Sequence, residues 1–480
     1  AQATCSLACC ITGSAFPDAV IMIRFFAKHC LLVVAAATHA HKTFGVPDVG
    51  HTEGLVVLPL SRKVTKLGGA ESLVKKSSYV GKIRIGAATR EERQEMLVLF
   101  DTGSGQIVLD STRCTAPACM QHHQYSPERN GAPIVNADGQ IADSSAQSDT
   151  ALINLDSNDA EPGHVRGIFV RDHICLAMER RKGSGMDGCA EVILVAATNM
   201  TNQPFLDVPF DGIVGLGLEG LSAGPDYNFL GRLTAQEGMQ PQFALFVPNQ
   251  AEGGRAEITF GGFRPERLAG PLFWAPVAAP EVGFWQVVVQ AVRIGDQELD
   301  VCKDSICRGF VDSSSSQLGV PEDAMEELEV AMGFKNGAAP SEGNDDCTVG
   351  PDLHLVLEGG LTLTLTAREY AEVANTGGCR SLLHPLRNTE TAGSRHIGEA
   401  ETRKGTALSR SFILGEPVLR RYYTVFDWES KSLGFGLAAA GTTEPTTNIA
   451  EEAEMPEHTE EFILLQTQEQ RGKSVAKHEL

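Results

Sequence analysis

Two stretches of the chain carry the residue types that could do chemistry. "MLVLFDTGSGQIVLDS", residues 96–111, and "RGFVDSSSSQLGVP", residues 308–321, each run apolar residues into an aspartate. These are Asp101 and Asp312. A carboxyl group at the end of a buried strand is costly unless something holds it there. Two carboxylates about 3 Å apart cannot both ionise, so they share one proton and titrate as a pair. Such a pair can take a proton from a water while giving one to a carbonyl oxygen, with no covalent intermediate and no need of a metal or cofactor. Roles are not assigned to either aspartate singly. Hydroxyls adjoin both: Thr102 and Ser104 after the first, Ser313, Ser314 and Ser315 after the second. Gly103 allows a backbone N–H to approach the carboxylate. Ser314 stands at the corresponding place and adds a Cβ, which would cost about 1 kcal/mol or more if the loop needs positive φ.

Bringing residues some two hundred positions apart together requires a scaffold, and the chain reads as mostly β. Short apolar runs separated by Gly, Pro, Asn and Asp recur, glycine is plentiful at 49 residues, and long helical periodicity is scarce. The pattern also repeats. "LVLFDTGSG" is followed about a hundred residues later by "PFDGIVGLGLEGL", and "RGFVDSSSS" at a similar distance by "SFILGEPVLRRYYTVFD". Each half thus holds an apolar strand ending in aspartate and a later apolar strand running into glycine, matched as Gly212 and Gly415. Two copies imply a duplicated, two-lobed β protein.

The ends and the cysteines bound the setting. Residues 1–21 read as an upstream extension before Met22. Residues 22–40, with Arg24 and Lys28 ahead of a short apolar run, read as a secretory signal peptide. No later segment has the roughly 18 uninterrupted apolar residues of a membrane span. A net charge of −21 argues against a nucleic-acid partner, since phosphate backbones demand basic patches. The closing KHEL is close to an endoplasmic-reticulum retrieval signal, and residues 439–480 read as an acidic disordered tail. Twelve cysteines occur, four of them before residue 41. The eight others suit disulfides in an oxidising lumen: Cys114–Cys119 and Cys302–Cys307 by close spacing, then Cys347–Cys379 and Cys175–Cys189. Zinc is the competing reading of C-x4-C, but the pairs lie far apart with no H-x-x-x-H partner. His122 and His123 read as surface residues, and Trp274, Trp285 and Trp428 as core. "NMT" at Asn199 is a glycosylation acceptor sequence. "GLGLEG" and "GSGMDG" fit a dinucleotide fingerprint but sit in no βαβ unit.

In their order these segments resemble the pepsin-like aspartic proteases, a family that includes cathepsin D and the plasmepsins. The resemblance covers roughly residues 77–438. It rests on "SSYVGKIRIG", "LFDTGSG", "CTAPACMQHHQYSP", "FDGIVGLG", "AEITFGGF", "FWAPV", "GFWQVVVQAVRIG", the Cys302–Cys307 loop, "FVDSSSS" and "FILGEPVLRRYYTVFDWESKSLGFGLA". It implies an all-β bilobal fold with an N-terminal lobe at 77–240 and a C-terminal lobe at 241–438, the cleft lying between them. It implies a monomeric endopeptidase, with Asp101 and Asp312 activating a water at acid pH. Extended peptides with apolar residues flanking the cut bond are the implied substrates. Thr102 and Ser313 would lock the two loops together, and Ser104 and Ser315 would hydrogen-bond the aspartates from outside. "GLVVLPLSRKVTKL" resembles the start of the basic prosegment, here 41–76, an intramolecular inhibitor covering the cleft. The chain departs from the pattern at Ser314, in the flap expected within residues 151–163, where the usual tyrosine is missing, and in "SGQIVLDS", residues 104–111, where its tryptophan partner is missing. These departures leave open an alternative, a catalytically impaired peptide- or protein-binding module. The implied compartment is the secretory lumen, the endoplasmic reticulum through KHEL or otherwise an acidic vacuole or the exterior.

Overall fold

A computed structural model describes residues 54–67, 74–86, 92–142, 150–156, 163–177, 188–249, 254–335, 338–339, 347–374, 378–386, 410–440 and 465–470. The extension at 1–21, the signal peptide at 22–40 and the KHEL ending lie outside the described residues.

Both aspartates stand at or just past the end of a strand buried on both faces. Gln94–Asp101 begins with alternating burial and is wholly buried from Val98 onward, as a strand covered on both sides must be. It runs parallel to Gly212–Gly215, with Asp101 opposite Gly215. Ile107–Leu109 returns antiparallel on the far side of Gly212–Gly215. The second half repeats this. Cys307–Val311 runs parallel to Ser411–Leu414, and Leu318–Pro321 returns antiparallel beside Ser411–Leu414. The sequence repeat is therefore a repeat of one three-strand motif, in an all-β molecule of two lobes. The counterpart of Gly415 is Gly215 and not Gly212, since Gly212 begins its strand rather than ending it. A Cβ on Gly215 would lie 2.4 Å from the Gln106 nitrogen and 2.7 Å from the Ser104 carbonyl oxygen. One on Gly415 would lie 2.3 Å from the Gln317 carbonyl oxygen and 2.6 Å from that of Ser315. Backbone packs on backbone behind each loop, and only glycine permits it.

Between the halves runs a shared sheet. Val56–Leu67 lies between Ala256–Phe260 and Val74–Ile85, antiparallel to both. Val56, Leu58 and Leu60 point into the core and are at most 3% exposed. An aromatic cluster fills the space beneath the two loops. Phe243 stacks on Phe426 at 4.3 Å between ring centroids, and Trp285 meets both edge-on at 5.9 and 5.3 Å. These geometries add to the burial of large rings.

Among the described residues four disulfides are formed: Cys114–Cys119, Cys175–Cys189, Cys302–Cys307 and Cys347–Cys379. Cys307 opens the strand leading to Asp312. A hairpin of Thr150–Asp156 and Gly163–Leu176, pairing from Thr150↔Ile168 to Leu155↔Gly163, occupies the place expected for the flap. Residues of the acidic tail join it: Leu465–Gln470 lies antiparallel along Thr150–Asp156. A tail with little to bury can still pair there, because an edge strand leaves its N–H and C=O groups open.

Candidate active site

Asp101 and Asp312 are 0% and 1% exposed, and backbone and hydroxyl donors hold each in place. The Gly103 N–H donates to Asp101 Oδ1 at 2.8 Å. The Ser314 N–H donates to Asp312 Oδ1 at the same distance. Hydroxyls tie the two loops to each other reciprocally. Thr102 Oγ1 donates to the Val311 carbonyl at 2.8 Å and accepts from the Ser313 N–H at 3.0 Å. Ser313 Oγ donates to the Phe100 carbonyl at 2.7 Å and accepts from the Thr102 N–H at 3.0 Å. Residues 211 positions apart are thereby in direct contact. The Oδ2 atoms of both aspartates are buried and accept no hydrogen bond among the described residues.

Burial, and next the Asp312 charge, pushes the Asp101 carboxyl up to about 7. Burial likewise raises Asp312, against the pull of the Ser314 donors and of the Lys76 ammonium. A shared proton follows from these directions.

The serine run is buried. Ser313, Ser314, Ser315 and Ser316 are all at most 7% exposed. Ser314 carries no strain, because neither it nor Gly103 has positive φ. Its hydroxyl instead donates to Asp312 Oδ1 at 2.7 Å, the contact expected of Ser315. Ser315 Oγ turns away and donates to the Gln317 carbonyl at 3.2 Å. The reason is reach: a donor two residues beyond the aspartate already fills that side of the carboxylate. Among the described residues the buried Ser104 hydroxyl has no hydrogen bond of good geometry, though it lies close enough to moderate the Asp101 charge.

Trp285 supports both loops, a role its place in a core-like run did not reveal. Its indole N–H donates to the Leu216 carbonyl at 2.8 Å, and the Leu216 N–H donates to the Asp101 carbonyl at 2.7 Å. Its own carbonyl accepts the Val311 N–H at 2.8 Å, one residue before Asp312. Trp274 and Trp428 are half-buried, and the Lys431 ammonium sits 3.7 Å over the Trp428 ring. Asn199 is exposed near the end of the strand Cys189–Met200.

His122 is not a surface residue; only His123 is, with its side chain 87% exposed. The His122 side chain is only 9% exposed, held between two acceptors from distant parts of the chain. Nδ1 lies 2.9 Å from Asp110 Oδ2 and Nε2 lies 2.9 Å from the Val208 carbonyl. Both nitrogens face acceptors, so the Nδ1–Oδ2 contact needs a proton between its atoms. Burial alone would lower the imidazole, but Asp110 and the Val208 carbonyl outweigh it and raise it above its ordinary range. Burial also raises Asp110. For an ion pair these two directions disagree, and either assignment keeps one proton in the contact. A raised imidazole stabilises fully below its ordinary value of 6.5, and that contribution fades as pH rises through the folded-state value. His122→Phe should therefore lower stability by about 2 kcal/mol at about pH 5, with the gap to wild type narrowing at about pH 8. Thermal denaturation at the two pH values reads this directly.

Beside Ser104 opens a small apolar pocket, walled by Val108, Val165, Met200, Phe205, Phe210 and Ile213, with Asp110 and His122 at one side. Val108 belongs to the stretch in which no tryptophan occurs. The flap tyrosine has no stand-in from the neighbouring tyrosines. Tyr125 is buried on Asp172 at 2.7 Å, and Tyr227 donates to the Ala137 carbonyl at 2.8 Å.

The eukaryotic aspartyl protease family model matches residues 78–438. Cathepsin E of Oryctolagus cuniculus is 28% identical over 376 residues, covering 75% of this chain and 80% of that protein. Gastricsin of Mus musculus is 28% identical over 367 residues, with the same coverage. Cathepsin E of Aquarana catesbeiana is 27% identical over 379 residues, covering 78% of this chain and 82% of that protein. Two repeated strand motifs, each delivering one buried aspartate into the same hydroxyl-braced centre, belong with that match: the chain is a pepsin-type aspartic endopeptidase of the eukaryotic aspartyl protease family.

Proposed function

We propose that Asp101 and Asp312 are the catalytic pair and that they hydrolyse peptide bonds through a water held between them. The observation that carries this reading is that each carboxylate has Oδ1 engaged by its own loop, while its buried Oδ2 takes no donor among the described residues. That leaves two oxygens for a water and for the carbonyl it attacks. One carboxylate accepts the water's proton as its oxygen bonds to the carbonyl carbon. The other gives its proton to the carbonyl oxygen, and proton return to the nitrogen then breaks the C–N bond. Activity belongs at acid pH, where a single proton is shared.

The substrates would be extended peptides with apolar residues flanking the cut bond, since the pocket beside Ser104 is walled by aliphatic and phenyl side chains. The module that binds without cutting gains no support from Ser314, whose backbone and hydroxyl both serve Asp312. A removable prosegment at 41–76 would contribute its strand Val56–Leu67 to the shared sheet, with Val56, Leu58 and Leu60 buried there. A monomer in the secretory lumen fits the disulfides.

The test is digestion of an unfolded protein at about pH 4 with and without pepstatin. Pepstatin-sensitive fragments are expected. Fragments indifferent to pepstatin, or none at any pH, would remove the reading.

A further inference from the structure

The two loops differ at the atom that touches the carboxylate. Asp101 Oδ1 accepts one hydrogen bond, from the Gly103 N–H at 2.8 Å. Asp312 Oδ1 accepts two, from the Ser314 N–H at 2.8 Å and the Ser314 hydroxyl at 2.7 Å. A hydroxyl can reach there because the loop backbone is not left-handed at residue 314, so a side chain fits where its counterpart is glycine. Donors to a carboxylate favour its ionised form, most of all in a site without bulk water.

We infer that Ser314 is a positioning residue that fixes the charge of the singly protonated pair on Asp312 and leaves the proton on Asp101. This rests on the proposed catalytic pair. In the forward step Asp312 would take the proton from water as the water oxygen bonds to the carbonyl carbon. Asp101 would give its proton to the carbonyl oxygen. The negative charge passes from Asp312 to Asp101, and the total is unchanged.

The groups facing Asp312 from other elements agree with this. Lys76, buried on Val74–Ile85, favours its ionised form, and Asp101 is the acid across from it. Leu414, whose carbonyl accepts the Asp312 N–H at 3.3 Å, brings no titratable side chain. The Ser314 hydroxyl also lies near Asp101, but there it is the weakest of the main influences. On Asp312 it is the strongest influence favouring ionisation.

The consequence separates the two limbs of the pH profile. If Asp312 carries the charge in both the monoanion and the dianion, the Ser314 hydroxyl stabilises both alike. Removing it then destabilises the monoanion only relative to the fully protonated pair. In kcat/KM measured against pH on the full chain with a fixed peptide, Ser314→Gly and Ser314→Ala should move the acidic limb up by about one pH unit. The basic limb should stay where it is. Ser314→Thr, which keeps a hydroxyl, should keep the acidic limb in place. Glycine already stands at this point of the first loop, so the variant introduces no new backbone geometry. Movement of the basic limb alone would put the charge on Asp101 and overturn the inference. Unmoved limbs in variants that still bind pepstatin would overturn it too. A wild-type chain with no acid proteolysis would instead take down the catalytic reading itself.

Discussion

Asp101→Asn should reduce kcat/KM at about pH 4 by at least about a thousandfold and yet make the folded protein more stable at neutral pH. Asparagine is nearly isosteric, and its oxygen can still accept the Gly103 N–H that now binds Oδ1. The loss would therefore be chemical, since an amide neither stores nor donates the shared proton. The stability gain follows from linkage. Burial raises the Asp101 carboxyl from 3.8 to about 7. Between those values the folded chain holds a proton that the unfolded chain has released, so stability falls as pH rises through this window. The interval corresponds to about 4 kcal/mol in wild type at its upper end. The variant has no such group to lose. Its melting temperature should thus exceed that of wild type by a margin that grows from about pH 4 to about pH 7. Paired melts at the two pH values measure the margin, and peptide cleavage measures the rate. A variant that retains most of its activity would show that Asp101 is not in the chemistry.

Much of this arrangement was legible in the sequence, because its determinants are local. An apolar run ending in Asp-Thr or Asp-Ser specifies a buried strand with a polar end, and two copies specify two lobes. The order of the cysteines carried the loops around them. What escaped reading depends on direction rather than identity. Ser314 and Ser315 are the same residue type side by side, and only the backbone course decides that Ser314 reaches Asp312 while Ser315 faces Gln317. Gly215 and Gly212 flank the same two residues, and only strand register tells which one backs the Asp101 loop. His122 looked like a surface residue because its acceptors, Asp110 and the Val208 carbonyl, come from 12 and 86 residues away. Trp285 was legible as core but not as a tie, since its partner is a backbone carbonyl 69 residues distant. Backbone acceptors leave no mark in a sequence.

The brace between the lobes should matter as much as the carboxylates, in a manner that can be told apart from them. Thr102→Val keeps the shape but leaves the Ser313 N–H and the Val311 carbonyl without their buried partner. Ser313→Ala does the same to the Thr102 N–H and the Phe100 carbonyl. Each orphaned group costs about 1–3 kcal/mol, so either variant should lose about 2–6 kcal/mol of stability in denaturant titration. The four groups are distinct, and additivity would be the first expectation. The brace is reciprocal, however: once one hydroxyl is gone the loops can part and let water reach the groups served by the other. The double variant should therefore fall short of the sum by about 1 kcal/mol or more. Activity should drop about a hundredfold in each single variant, because a shift of about 1 Å between the carboxylates spoils their common reach. It should drop equally on both limbs of the pH profile, since no donor to either carboxylate has been removed. Strict additivity would mean that the loops are held together by the surrounding sheet. A moved acidic limb would mean that these hydroxyls act on the proton and not on the distance between its two owners.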